Sequence, residues 1–573
     1  MILIYLKPYT KQLILGPLAK LLEAVLELML PMLMAQLIDV GINLLYDVGY
    51  VVRTVIYMAV FTLVGCASSV YCQYSASVAS QGYGTTLRNA YVAKINGLSH
   101  KDLERFGNST LLTRATSDVN NVQHAVAMFI RLVTRVPFIC IGSLVMSFVM
   151  DWRLALILTA FIAVFVLVTF LVMRKTLPRY RKTQEKLDGI STSVKENLGG
   201  VRVVRAFNES GAEEKRFASA NDAWAKAALR AGRLASLMSP ITALVLNSAV
   251  VAVLWFGGGH IDTGLLKQGE LVAFINYITQ VTLALSLAAN LTVMFMRALA
   301  SGGRIAEIMK LDPSVTAPAA PSAPVRPEPY AAAVAFNGVS FDYGGGDALK
   351  DISFAAARGE SIGIVGGTGA GKSTLVKLLP RFYDASGGEI KVFGVPVKEY
   401  APEELRAKIG YVPQKAGLFP ETVRENLVLG RAVTDAGLAL ALETAQAADF
   451  VAALPDGLDT AVARGGANFS GGQRQRLTVA RALCANPDIL VLDDSLSALD
   501  YITDRKLRRA LAKNYAGTTV IIVSQRVSAV RDCSQILVLE NGGLVGIGSH
   551  DSLMRLCPLY RSIYNSQNKE EIA

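Results

Sequence analysis

The chain has 573 residues, with 57 Lys and Arg against 46 Asp and Glu, a formal net charge of +11. It is 52% hydrophobic and only 18% charged, with a mean hydropathy of +0.38. That balance excludes a disordered or fibrous chain. The basic residues flank apolar runs, which reads as a membrane-topology signal rather than a nucleic-acid surface, so no nucleic-acid partner is expected. The six cysteines form no CxxC pair and no metal-like cluster. Those in apolar stretches read as buried small hydrophobes.

Six apolar segments match a bilayer, which needs about 20 helical residues per span. They run at about 13–40, 52–80, 125–150, 153–173, 234–260 and 270–298, and Leu154–Met173 carries no charge at all. The first is too long for a signal peptide and contains Glu23 and Glu27. Arg88, Lys94, Lys101, Arg105 and Arg114 lie between spans two and three, and Arg174, Lys175, Arg179, Arg181 and Lys182 follow span four. The opposite loops are short and poor in positive charge. By the positive-inside rule, the long loops and both termini are cytoplasmic, which predicts a multi-pass protein of the cytoplasmic membrane in contact with its lipids. The cytoplasmic connections are rich in helix formers, so the spans are expected to continue as helices beyond the lipid. Lys20, Glu23 and Glu27 recur at helical spacing on span one, and Arg131 and Arg135 on span three. Charges at such depth face the bundle interior. They serve either as interhelical ion pairs or as a polar cargo site preferring cations through Glu23 or Glu27.

Residues 1–311 therefore read as a six-span membrane domain. Six of the twenty prolines fall within Pro313–Pro329, so 312–331 reads as a semi-extended Pro/Ala-rich connector. From 332 to 573, short β-like runs alternate with amphipathic helices, the pattern of an α/β domain.

In that second half, the strand-like run Glu360–Ile364 leads into Gly366, Gly367, Thr368, Gly369, Ala370, Gly371, Lys372, Ser373 and Thr374. This is the phosphate-binding loop GxxxxGK[ST] in its strand–loop–helix setting. Its glycines let backbone amides turn toward phosphates, Lys372 reaches the terminal phosphates, and the Ser373 hydroxyl suits Mg²⁺. Further on, Ile489–Asp493 is an apolar strand ending in a carboxylate, which predicts Asp493 beside the loop as a Mg²⁺ ligand. ATP and Mg²⁺ are the expected cofactors.

With Phe469-Ser470-Gly471-Gly472-Gln473 and the basic helix after it, the chain resembles the ATP-binding cassette (ABC) superfamily. The likeness is to exporter half-transporters in which six spans are fused to one cassette. It covers nearly the whole length and rests on the phosphate loop, on Gln414 in Tyr411-Val412-Pro413-Gln414, on the signature Ser470–Gln473, on Asp493, and on Ser497-Ala498-Leu499-Asp500. The resemblance implies a membrane all-α domain of the type I exporter-like, type IV ABC fold joined to an α/β P-loop NTPase. It implies a head-to-tail cassette dimer, with ATP between the phosphate loop of one chain and the signature of the other. It assigns Tyr343 to adenine stacking and Gln414 to the metal and the catalytic site. Leu98–Phe106 and Asn197–Phe207 resemble the segments whose short coupling helices dock on cassettes, the second on the partner's.

Three positions depart from the family pattern. Asp494 stands where the family has the glutamate that orients or deprotonates the attacking water. Gln525 stands at its switch histidine, and Arg464 where an acidic residue is common. An aspartate is one methylene shorter, which withdraws its carboxylate by roughly an ångström, and misplacement of that size costs on the order of a hundredfold in rate. Glutamine hydrogen-bonds but neither carries charge nor shuttles protons as imidazole does. The sequence therefore predicts a degenerate ATP site in an ATP-driven exporter of amphipathic compounds. Its signature would complete the competent site of a second half-transporter, making a heterodimer. A homodimer with two weak sites, and an importer using the same fold, are the alternatives.

Overall fold

The computed structural model describes residues 2–44, 47–316 and 331–569, apart from the side chains of 289, 290, 292, 293, 568 and 569. Most of the expected connector, 317–330, lies outside the described residues. By packing, Met1–Asn96 with Asn108–Leu311 forms one compact unit and Gly97–Gly107 with Asp312–Ala573 a second.

Among the described residues of the first unit, six helices are long and apolar enough to cross a membrane, as the hydropathy pattern predicts. They start at Ile2, Val48, Asn108, Trp152, Ser210 and Gln268; the fourth, Trp152–Ala206, has 55 residues. At 1.5 Å per residue that helix is about 80 Å long, far beyond a hydrocarbon layer of about 30 Å. The spans thus continue as helices past the lipid. Asp151 starts the fourth by accepting the amides of Arg153 and Leu154 at 2.7 and 3.2 Å. Small buried residues (Ala24, Ala76, Ala79, Ser143, Ala273) let the helices approach closely where no hydrophobic gain drives them together. Four of the five intramembrane charges are ion-paired, two within span one and two between spans one and three, and Arg131 forms no ion pair among the described residues. Lys20 Nζ lies 2.6 Å from Glu23 Oε2, and Arg135 Nη2 lies 2.7 Å from Glu27 Oε2.

In the second unit, β1 (Val334–Asp342), β2 (Asp347–Ala356), β4 (Gly387–Val392) and β5 (Val395–Pro396) form an antiparallel sheet in the order β2-β1-β4-β5. A six-stranded sheet has the order β10-β9-β3-β8-β7-β6: Gly543–Gly548, Gln535–Glu540, Ser361–Gly366, Thr519–Val523, Ile489–Asp493 and Ile409–Val412. Strands β9, β3, β8, β7 and β6 are mutually parallel. Their near-continuous apolar runs, such as the fully buried Ile489–Leu492, suit strands covered on both faces.

The short helix His100–Phe106, from one of the two coupling-like segments, belongs to this second unit. Ser99 and Asp102 close a capping box at its start. His100 stacks on Phe382 at 5.5 Å, and the Tyr383 hydroxyl donates to Glu104 Oε2 at 2.7 Å. Asp102 Oδ2 accepts from Ser99 Oγ at 2.6 Å and from the Ser314 amide at 2.9 Å. Burial raises the Asp102 pKa, but these hydrogen bonds outweigh it and hold the carboxyl below its ordinary range. Asp102→Ala is expected to cost about 2 kcal/mol of stability, read as a lower midpoint in thermal unfolding of the detergent-solubilised chain. Because the folded pKa is lowered, the deficit against the natural protein is full above the unfolded carboxylate pKa and disappears as pH falls through the folded value.

Candidate nucleotide-binding site

The parallel register levels three strand ends. Ile364 of β3 and Asp493 of β7 both pair with Val523 of β8. The phosphate loop after β3, the carboxylates ending β7 and the segment after β8 therefore meet at one edge of the sheet, the carboxyl edge where open α/β sheets bind ligands. There a cleft of about 260 Å³ is lined by the loop residues Thr368–Thr374 with Ala348, Gln414, Asp494, Val523 and Gln525. Two loop glycines are dictated by geometry. A Cβ on Gly366 would fall 2.3 Å from Leu539 O, and Gly371, at φ 93°, would bring one 2.8 Å from Ala348 O. Gly369 is also left-handed, at φ 82°. Such turns point successive amides into one concavity fit for an anion.

Lys372 is buried and donates from Nζ to the carbonyls of Gly366 and Gly367, 2.7 Å each. Burial pushes its pKa down, while Asp494 and Asp493 pull it back up. Ser373 Oγ donates to Asp493 Oδ1 at 2.7 Å, and the Tyr411 hydroxyl donates to Asp493 Oδ2 at 2.9 Å. Burial, then the Asp493 charge, keep the Tyr411 phenol protonated well above its usual range. One hydroxyl and one buried carboxylate are the hard oxygen donors that Mg²⁺ takes when phosphates and water complete its shell. No cluster of three His, Cys, Asp or Glu that could hold a metal ion occurs among the described residues.

Asp494 adopts φ 47°, a left-handed conformation that costs free energy and recurs at functional sites. Its amide donates to Val523 O at 3.0 Å, and its carbonyl accepts from Ser497 Oγ at 2.7 Å. Its Oδ2 accepts from Gln414 Nε2 at 3.0 Å. Burial pushes the Asp494 carboxyl pKa up, against the pull of Gln414 and Lys372. Gln525 borders the cleft, and among the described residues no histidine does; His550 is engaged with the Tyr560 hydroxyl at 2.8 Å. Tyr343 does not line the cleft, but its hydroxyl lies 3.4 Å from Thr374 Oγ1 and its half-exposed ring stands edge-on to Phe341 and Tyr383.

Residues 13–285 match the family model described as the ABC transporter transmembrane region, and residues 349–497 match the ABC transporter model. An uncharacterized ABC transporter ATP-binding protein of Mycobacterium tuberculosis is 37% identical over 98% of this chain and 97% of its own length. The chain belongs to the ABC transporters. An ATP-dependent lipid A-core flippase of Desulfotalea psychrophila is 32% identical over 86% of this transporter and 87% of its own length. A bacterial Atm1-family ABC exporter solved with ATP bound superposes with a TM-score of 0.82, at 26% identity over 97% of this chain and 99% of that one. Six spans and a cassette on one polypeptide make this ABC transporter an exporter half-transporter.

The transporter's signature lies elsewhere in the cassette. Ser470 caps the helix Gly471–Leu483 and forms a capping box with Gln473, at 3.2 and 2.9 Å. Ser470 and Gly471 are exposed, and none of Ser470–Gln473 lines the cleft. Two cassette residues escaped the motif reading. Tyr411 sits inside a quoted motif, but its role depends on the lateral pairing of β6 with β7. Gln567, in the helix Pro558–Lys569, donates to Gln525 O at 2.8 Å and accepts from the Val527 amide at 2.9 Å. No local signal connects positions 40 residues apart. Tyr411→Phe removes one of the two donors on Asp493 and is expected to raise severalfold the Mg²⁺ concentration needed for half-maximal ATP binding, measured by titrating a fluorescent ATP analogue at fixed nucleotide.

Proposed function

We propose that this half-transporter is one subunit of a heterodimeric exporter whose own site grips Mg²⁺·ATP but turns it over slowly. In this reading Lys372 and the amides of Gly366–Thr374 hold the phosphates, Ser373 and Asp493 hold Mg²⁺ with Gln414 beside them, and Tyr343 stacks on adenine. Mg²⁺, when bound, neutralises phosphate charge. Asp494 and Gln525 occupy the positions that activate water, and both are poor at it. The observation that carries this reading is the cleft itself, with an intact phosphate loop and magnesium-type donors but a short, Gln414-tethered Asp494 and no imidazole. The signature's exposure away from the cleft supports a dimer in which Ser470–Gln473 completes a partner's site. Phe207, 74% exposed at the end of the Trp152–Ala206 helix, supports docking of that turn on a partner cassette. Cassette closure around ATP then rocks the spans between inward- and outward-facing states. Both cassettes and all termini lie on the cytoplasmic side of the cell membrane. The flippase-like relative favours amphipathic, lipid-sized cargo.

The purified chain alone is expected to bind ATP yet hydrolyse it at a small fraction of the rate of the chain with its partner. Asp494→Glu combined with Gln525→His should raise phosphate release by the chain alone on the order of a hundredfold. Brisk turnover by the unmodified chain in isolation, abolished by Asp494→Asn, overturns the proposal in favour of a homodimer.

A further inference from the structure

Within the first unit, a cavity of about 450 Å³ lies between the second and third spans. Ser77, Gln81, Asn121, Gln123, His124 and Arg131 line it, and among the described residues no carboxylate does. Polar groups on apolar helices belong to a wet interior rather than to lipid. The carboxylates on the elements around it are already committed: Glu23 to Lys20, Glu27 to Arg135, and Asp118 to Arg304 and Ser301. Arg131 is not neutralised in this way. Its one hydrogen bond among the described residues goes to Ser77 Oγ at 3.1 Å, and its Nε is buried without a partner. Arg88 extends the positive field from the other side. Among the described residues it donates to neutral amides, those of Asn120 and Gln123, and Gln123 donates its own Nε2 to Gln81 Oε1 at 2.8 Å. Arg131 also lies in a π-helical stretch, Phe129–Val133, a local widening of the helix that tends to mark functional positions.

We propose that this cavity binds the oxyanion, a phosphate or carboxylate, of an amphipathic cargo, with the Arg131 guanidinium as its charged anchor. The proposal deepens the export reading above and rests on it. It runs opposite to the cation-preferring reading of Glu23 and Glu27, since both carboxylates are paired with lysine and arginine. A guanidinium with a free, desolvated N–H offers the fork that carboxylate and phosphate take in pairs, and the surrounding amides and hydroxyls complete a hydrogen-bonding wall around a charge that no acid neutralises.

The test is equilibrium binding of radiolabelled dodecyl phosphate to the purified full chain in non-ionic detergent without nucleotide, with dodecyltrimethylammonium as the cationic counterpart. The natural chain should prefer the phosphate, Arg131→Gln should weaken its binding by roughly tenfold or more, and Arg131→Lys should retain most of it. Gln81→Glu, which places a carboxylate in the wall, should also weaken it and stands in if Arg131→Gln does not assemble. Inorganic phosphate competing at millimolar concentration points to a free oxyanion as the ligand, and no competition points to the headgroup of an amphiphile; either supports an anion site. Unchanged dodecyl phosphate binding in Arg131→Gln, or equal loss of phosphate and ammonium probes, overturns the proposal. Because nothing in this readout requires turnover, its failure leaves the export reading standing, whereas intact binding without ATP-driven movement defeats export and spares the anion site.

Discussion

The register of β3, β8 and β7 is the constraint from which the nucleotide chemistry follows. Parallel strands have evenly spaced ladder bonds, and a slip of one residue would turn each strand's buried side chains to the wrong face. With Val523 opposite both Ile364 and Asp493, the phosphate loop, two consecutive carboxylates and the Gln525 segment must emerge level with one another. The loop glycines then become obligatory for a second reason, because Leu539 O and Ala348 O press against Gly366 and Gly371 from neighbouring segments. The sheet thereby fixes where an anion can sit and which side chains face it, independently of how well those side chains activate water.

Electrostatics divides the two units along similar lines. In the cassette, Lys372 is desolvated against two carbonyls, and the same burial raises the Asp494 carboxyl. A site of this kind holds negative phosphate strongly because few competing dipoles remain. In the membrane unit, burial instead forces charges into pairs, since an isolated ion among apolar helices is costly. Lys20–Glu23 and Arg135–Glu27 obey that rule. An arginine that does not is informative for the same reason.

Much of this was legible because the decisive signals are local. Apolar length predicted six spans, and their helical extensions followed from charged but helix-forming connections. The Gly366–Thr374 loop announces its own strand–loop–helix setting, and Ile489–Asp493 reads as a buried strand from four consecutive aliphatic residues. Long-range pairings were not legible in this way. Glu27 and Arg135 are 108 positions apart and Gln567 and Gln525 are 42 apart, so whether a membrane carboxylate is free or consumed depends on helix packing that no window of sequence encodes. The structure places Glu27 in a long-range pair with Arg135, whereas Glu23 pairs locally with Lys20 on the same helix.

Gripping ATP and hydrolysing it make different physical demands on a cassette, because they depend on different distances. Phosphate binding needs charge and amide donors within a broad electrostatic well, and the loop with Lys372 supplies both. Water activation needs a carboxylate placed to within a fraction of an ångström and a partner that can manage a proton. Asp494 carries a side chain one methylene shorter than glutamate, hydrogen-bonded to Gln414, on a left-handed backbone that bonds to Val523 O and Ser497 Oγ. These contacts fix where the shorter residue sits. On the slow-turnover proposal, a raised carboxyl pKa would make Asp494 a stronger base, but basicity without reach would not bring an oxygen to the water. On that proposal, lengthening the side chain is the change to which this site should respond most.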